Sequence, residues 1–383
     1  MDNYDLDSYE PAARIVVIGV GGAGSNAVNR MIDENISSVE FFVANSDKQS
    51  LSTSKAPNRI VLGANVTGGL GAGGEPAVGE ASAKASEDDI RNIVKGANMV
   101  FIAAGMGGGT GTGAAPVIAS IAKEEGALVV AIVTRPFSFE GKKRVANSVE
   151  GLNKLKDQVD AIIVVSNDKL LMCAGTAPIS EAFSEADRVL AQSVKTVTDL
   201  ILMPAVINLD FADVRNTLKD SGIAIIGFGL GQGPNKAQDA ANNAINSPLL
   251  EASVHGARRA ICAVTCGSNV SLYEAQEAVG RIIEAAGGEI DVKFGVAINE
   301  QLADTLLVSI IASDFSEDVD FTSVPTYVPL ESKTEDKKPD NFSLNGDENK
   351  DSKVEVKGVD EPVEASILPN FLKDSNNDDG TDR

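Results

Sequence analysis

Glycine occupies positions 105, 107, 108, 109, 111 and 113, between the apolar run Met99–Ala104 and a segment of helical pattern. Each glycine carries an entropy penalty on folding, so local propensity does not account for such a stretch. A flexible linker fits poorly too, because strand and helix signals abut the stretch on both sides. It makes sense as a strand-to-helix turn whose backbone N–H groups wrap several phosphate oxygens. That commits the chain to a parallel α/β sheet, where ligands sit beyond the carboxyl ends of the strands.

The surrounding pattern agrees. Arg14–Gly19, Phe41–Ala44, Leu128–Val133 and Ala161–Val165 are further short apolar runs separated by helical patterns. Continuous apolar strands alternating with helices indicate a doubly wound parallel sheet. After a loose tail at 1–10, residues 11–178 are expected to form this nucleotide-binding α/β domain. A long amphipathic segment at 179–204 follows, with Ala182, Phe183, Ala186, Val189, Leu190, Val194 and Val197 at helical spacing and Pro204 as its stop. A second, smaller α/β domain is expected at 205–315, with Ala224–Phe228, Ala260–Thr265 and Leu306–Ala312 as strands. Residues 316–365 are rich in Lys, Glu, Asp, Asn and Ser and are expected to be a disordered linker. An apolar island at 366–373 and a polar tail at 374–383 complete the chain.

Two more glycine loops bear on chemistry. Gly19, Gly21 and Gly24 fit G-x-G-x-x-G between a strand and a helix, with Asp47 ending the next strand. That is the dinucleotide-binding fingerprint, and alone it fits a nicotinamide oxidoreductase. A dinucleotide needs one such turn, however, whereas a nucleoside triphosphate can use two, and the 105–113 loop supplies the second. The stretch Thr67–Gly74 is a third, suggesting a contact near the terminal phosphate. No G-x-x-x-x-G-K-[ST] occurs, so a P-loop is excluded.

Charge and composition narrow the partners. A formal net charge of −22 over 383 residues disfavours nucleic acid and an anionic membrane surface. Phosphate must then be bound locally, through backbone N–H groups. Cys173, Cys262 and Cys266 lack metal-site spacing and read as reduced core thiols, and no protein metal site is expected. The acidic start MDNYDLDSYE has no basic and apolar signal regions. No apolar run approaches the roughly 20 residues that span a bilayer. A cytoplasmic protein without direct membrane insertion is expected.

GVGGAGSNAVNRM at 19–31, ANSD at 44–47, GMGGGTGTGAAP at 105–116, PFSFEG at 136–141 and NLDFAD at 208–213 stand in one order. In that order they resemble the signatures of the FtsZ family of tubulin-like GTPases, over about 14–314. ILPNFLK at 367–373 resembles that family's C-terminal peptide. The resemblance implies a tubulin-like fold, with GTP or GDP and Mg²⁺ as ligands. It assigns Gly22, Ala23, Gly24, Ser25, Asn26, Gly109, Thr110 and Gly111 to the phosphates, and Ala72 and Gly73 to the nucleotide as well. Glu140 and Arg144 match ribose contacts and Asn167 another nucleoside contact. Phe183 and Asp187 match base contacts. They lie four apart on one helical face, where Phe183 can stack on a purine and Asp187 can accept from guanine N1–H and N2–H.

Asp210 and Asp213 follow the far end of the long helix, where an Asp commonly serves as cap or first-turn acid. The resemblance gives them another role. With Asn208, they enter a neighbouring copy's pocket and orient the water that attacks the γ-phosphate. It therefore implies head-to-tail filaments and a cell-division ring at midcell. It also implies binding of membrane-tethering and regulatory division proteins through Ile367–Lys373, on a linker with an r.m.s. span of roughly 35–40 Å. The chain departs from the family pattern at Ala205, Ser46 and Cys173–Pro178. None of these is a charged or phosphate-binding group.

Overall fold

The computed structural model describes residues 13–37, 39–174, 179–202, 205–247 and 249–315, with the backbone alone at 171–174 and 179–180. The expected segments at 1–10 and beyond 315, Pro204 and the Cys173 side chain lie outside the described residues.

Among the described residues ten strands form one sheet: β1 (Ile15–Val20), β2 (Glu40–Asn45), β3 (Asn58–Val61), β4 (Met99–Gly105), β5 (Leu128–Arg135), β6 (Ala161–Ser166), β7 (Gly222–Gly231), β8 (Ala257–Cys266), β9 (Asp291–Ile298) and β10 (Leu306–Phe315). Their order is β3-β2-β1-β4-β5-β6-β7-β10-β8-β9. From β3 to β7 all pairs are parallel. The order 3-2-1-4-5-6 is that of a doubly wound nucleotide-binding sheet, whose direction of winding switches between β1 and β4.

Alternation along each strand explains the layers. Ile15 and Val17 of β1 join Phe101, Ile132 and Ile163 on one face, against Val189, Leu190, Val194 and Val197 of the helix Ile179–Leu202. Val16 and Ile18 join Val100, Ile102 and Val129 on the other, against Ile118 and Ala119 of the helix Thr110–Glu124. Side chains buried on both faces require the near-continuous apolar strands seen in the sequence.

Beyond β6 the sheet continues without a break, Ala161 pairing with Gly222 and Ile163 with Ala224. There β10 runs antiparallel to both β7 and β8, while β9 adds parallel to β8. A third core cluster, including Ile225, Cys262, Val264, Ile282 and Ile310, fills this half. Cys262 and Cys266 are free and buried, and burial pushes the Cys262 thiol up to about 12. The helix Ile179–Leu202 has 24 residues and is roughly 36 Å long. It carries the chain from the cleft end of the first half to the loop at 205–210.

Candidate functional site

The loops after β1, β4 and β5 open into a cleft of about 440 Å³. A cavity of this size fits a small-molecule ligand, and it lies at the β1/β4 switch point. Two helices start there, at Gly21 and Thr110. Neither has a side-chain cap or an acidic residue in its first turn. Their free N–H groups and positive dipole ends therefore suit an anion.

Glycine serves two purposes here. Gly22, Gly108, Gly109 and Gly111 line the cleft with backbone. Gly24 instead lets the first helix pack on β4, because a Cβ there would stand 2.2 Å from the carbonyl oxygen of Ala103. Ser25 is buried as well, its hydroxyl donating to Gly21 O at 2.8 Å. Ala23 and Asn26 line the cleft. The hydroxyls of Thr110 and Ser46 lie 2.7 Å apart.

The turn Phe137–Gly141 makes the next wall. Glu140 accepts from Phe137 N at 2.9 Å and pairs with Arg144, one helical turn on. Asp168 accepts from Ser138 N at 2.9 Å and so ties this turn to the end of β6. Asn167 is buried and lines the cleft, and its Oδ1 has no hydrogen-bond partner there. A buried acceptor of that kind calls for a donor, which a nucleoside would supply.

Phe183 and Asp187 of the long helix form the remaining wall. Phe183 is 44% exposed, so it is not a core residue of the apolar stripe. Asp187 has its pKa raised to about 7, because burial disfavours the carboxylate more than the charge of Arg30 favours it. Met106, Thr134 and Ala186 also line the cleft. Met106 lies within the 105–113 glycine loop and Ala186 on the apolar stripe of the long helix, whereas Thr134 follows the apolar run at 128–133.

Ala72 and Gly73 belong to the neighbouring loop. Ala72 is buried, close to Gly109, and Gly73 lines a second chamber of about 420 Å³ that shares Glu140 and Arg144 with the cleft. Asp47 faces neither cavity. It caps the short helix Lys48–Ser52 by accepting from Gln49 N at 2.9 Å, and its backbone bridges to Leu70. The oxidoreductase fingerprint thus lacks its ribose-binding acid.

Asn208, Asp210 and Asp213 do not line the cleft. Asp210 is the N-cap of the helix Phe211–Leu218 and accepts from Asp213 N at 2.7 Å. Asn208 Oδ1 accepts from Ala205 N at 2.7 Å. Asn208 and Asp210 are exposed. Among the described residues no cluster of three or more His, Cys, Asp or Glu could hold a metal. Mg²⁺ is ordinarily bound through substrate phosphates with one or two carboxylates, and the carboxylates that line the cleft are Glu140 and Asp187.

The profile of the Tubulin/FtsZ family, GTPase domain, matches residues 14–175, and that of the FtsZ family, C-terminal domain, matches 222–316. An empty FtsZ dimer from M. jannaschii is similar at 40% identity and TM-score 0.73, over 79% of this chain and 88% of that one. A mutant of the same FtsZ gives 40% and 0.76, over 79% and 91%. GDP-bound CetZ1 from Haloferax volcanii shares the fold at 21% identity and TM-score 0.70, over 80% of this chain and 95% of that one.

Proposed function

The chain belongs to the Tubulin/FtsZ family of GTPases, and from that membership we propose that it assembles head-to-tail into filaments of a cell-division ring. Its nucleotide is GTP or GDP. In this reading the triphosphate lies along the N–H groups of Gly22, Ala23, Gly109, Thr110 and Gly111. Glu140, Arg144 and Asn167 hold the nucleoside, and Phe183 and Asp187 read the guanine. Gly24 and Ser25 support the first loop from beneath, while Asn26 faces the cleft. Ala72 and Gly73 border the terminal phosphate.

One observation carries the proposal. The cleft lies at one end of the long helix, while Asp210 and Asp213 follow its other end, and neither lines the cleft. Within one molecule the acids have no access to the phosphates. A second copy docked end to end brings its Asp210 and Asp213, with Asn208 shaping their loop, to the cleft of the first. There the carboxylates orient the attacking water. Phosphoryl transfer is mainly positioning and charge stabilisation, so no covalent nucleophile is required. A magnesium ion arriving with the nucleotide would be held with the help of these acids and would neutralise the developing charge. An end-to-end contact of this kind is heterologous and yields open filaments.

The family resemblance of Ile367–Lys373 supports it as the site for membrane-tethering and regulatory division proteins, and the cytoplasmic face of the midcell division site as the place of action. Among the described residues no helix is long and apolar enough to cross a membrane. GTP hydrolysis per molecule, measured across a dilution series alongside sedimentation, tests the proposal. The rate should collapse where sedimentable polymer disappears, and a constant rate per molecule would sink it.

A further inference from the structure

The third glycine loop needs something to hold it. Gly68, Gly69, Gly71, Gly73 and Gly74 all have positive φ, a conformation with little intrinsic restraint. Its first half is fastened to the end of β2. Thr67 Oγ1 and Gly71 N both donate to Ser46 O at 3.1 Å, and Lys48 N donates to Gly69 O at 3.0 Å. Its second half, next to the 420 Å³ chamber, is fastened from the helix Lys142–Lys156 instead. The Asn147 carboxamide donates to Gly74 O at 3.3 Å and to Gly107 O at 3.4 Å. One side chain thereby spans the second and third glycine loops. Gly107 itself is wedged against this helix, since a Cβ there would lie 2.7 Å from Arg144 O. Lys143 pairs with Glu75 beside Asn147, but both are well exposed, and such pairs contribute little.

We propose that Asn147 is a positioning residue that sets the spacing of the two glycine loops around the terminal phosphate, and so favours GTP over GDP. This rests on the functional reading above. The two hydrogens of one amide reach two carbonyls, one in each loop, beside the contact that Ala72 and Glu75 make with Gly109. Removing the amide unties Gly74 from Gly107, loosening the Gly73–Gly74 end of the third loop, and leaves the β1 loop and the base wall untouched. A diphosphate, which does not reach that segment, is insensitive to the change.

The test compares the affinity of full-length wild type, Asn147→Ala and Asn147→Asp for GDP and for a slowly hydrolysed GTP analogue, below the assembly concentration. Both variants should bind the analogue at least fivefold more weakly and GDP within twofold of wild type. The aspartate keeps the size of the side chain while replacing the donor with an acceptor, which guards against a packing defect in the alanine variant. Equal weakening for both nucleotides, no weakening, or full analogue affinity in Asn147→Asp would each overturn the proposal. A wild type that binds neither nucleotide would overturn the functional reading together with it.

Discussion

The ring of Phe183 meets that of Phe137 edge-on, with centroids 5.0 Å apart and planes at 81°. Phe137 is fully buried and stacks at 5.0 Å on Phe139 of the same turn. An edge-to-face pair fixes a ring without covering both of its faces. Phe183 is thus held by a buried ring and remains half-exposed at the cleft.

Replacing Phe183 by Ala should weaken guanine nucleotide binding by roughly tenfold, since stacking on an aromatic ring is worth about 1–3 kcal/mol per base. Phe183→Tyr should retain most of the affinity. Titration with a fluorescent GDP derivative, compared with the melting temperature of the nucleotide-free protein, separates stacking from packing. A large melting shift with unchanged affinity would return Phe183 to the core.

On the proposed reading of Asp187 as a base contact, affinity should depend on pH. Its carboxyl is half-protonated at about pH 7 in the free cleft. Guanine offers two donors at N1 and N2, and only the ionised carboxylate can accept both, since the neutral acid has one oxygen turned donor. Affinity should fall by roughly tenfold between pH 8 and pH 6, following the protonated fraction. The sign for stability is opposite. A carboxyl whose folded pKa is raised takes up its proton more readily when folded, so it destabilises the nucleotide-free protein progressively from about pH 4 to 7, and fully above that. Asp187→Asn should flatten both profiles, weaken GTP binding at pH 8 and raise the pH 8 melting temperature. Unchanged profiles would show that another group titrates.

The glycine loops and the long helix were legible in the sequence because their signals are local: dense glycine at strand ends and an apolar stripe at helical spacing. Strand β9 was not. Its residues alternate weakly in burial, and Gly295 and Lys293 interrupt any apolar run. It is a strand only because β8 is beside it and Ile207 bridges to Val296. The role of Asp47 was equally hidden. Its spacing from the first loop fits a ribose ligand, but the five-residue helix that it caps is too short to leave a periodic signal. That the two halves share one sheet depends on the pairing of β6 with β7, residues some 60 apart in sequence, which no local pattern announces.

Gly295 gives β9 a consequence for turnover. A Cβ there would lie 2.8 Å from Leu200 Cδ2 of the long helix and 3.3 Å from Ile207 O, in the loop leading to Asp210. Alanine can be absorbed by a small movement of Leu200. Valine cannot, and it should push the loop outward. Gly295→Val should lower GTP turnover by an order of magnitude or more while nucleotide affinity stays within twofold, because the cleft is at the other end of the helix. Equal loss of affinity and turnover would mean that the whole fold is disturbed.

The two loop acids should separate when mutated. Asp210 caps the helix Phe211–Leu218, so Asp210→Ala removes an N-cap as well as a carboxylate, and caps of this type are worth about 1 kcal/mol. Asp213 contributes only its backbone N–H to that cap. Asp213→Ala should therefore retain GTP binding, filament formation and thermal stability while turnover falls at least tenfold. Asp210→Ala should lose turnover and also melt several degrees lower, whereas Asp210→Asn should recover much of the stability and none of the turnover. Mixing Asp213→Ala with Phe183→Ala, at a GTP concentration that loads the intact cleft but not the Phe183→Ala cleft, sharpens the test. If the acids act on the next copy, the mixture gains hydrolysis only where an intact cleft meets an intact loop, and turnover should vary with the product of the two fractions. A turnover that simply averages the two pure proteins would place each acid's action within its own chain.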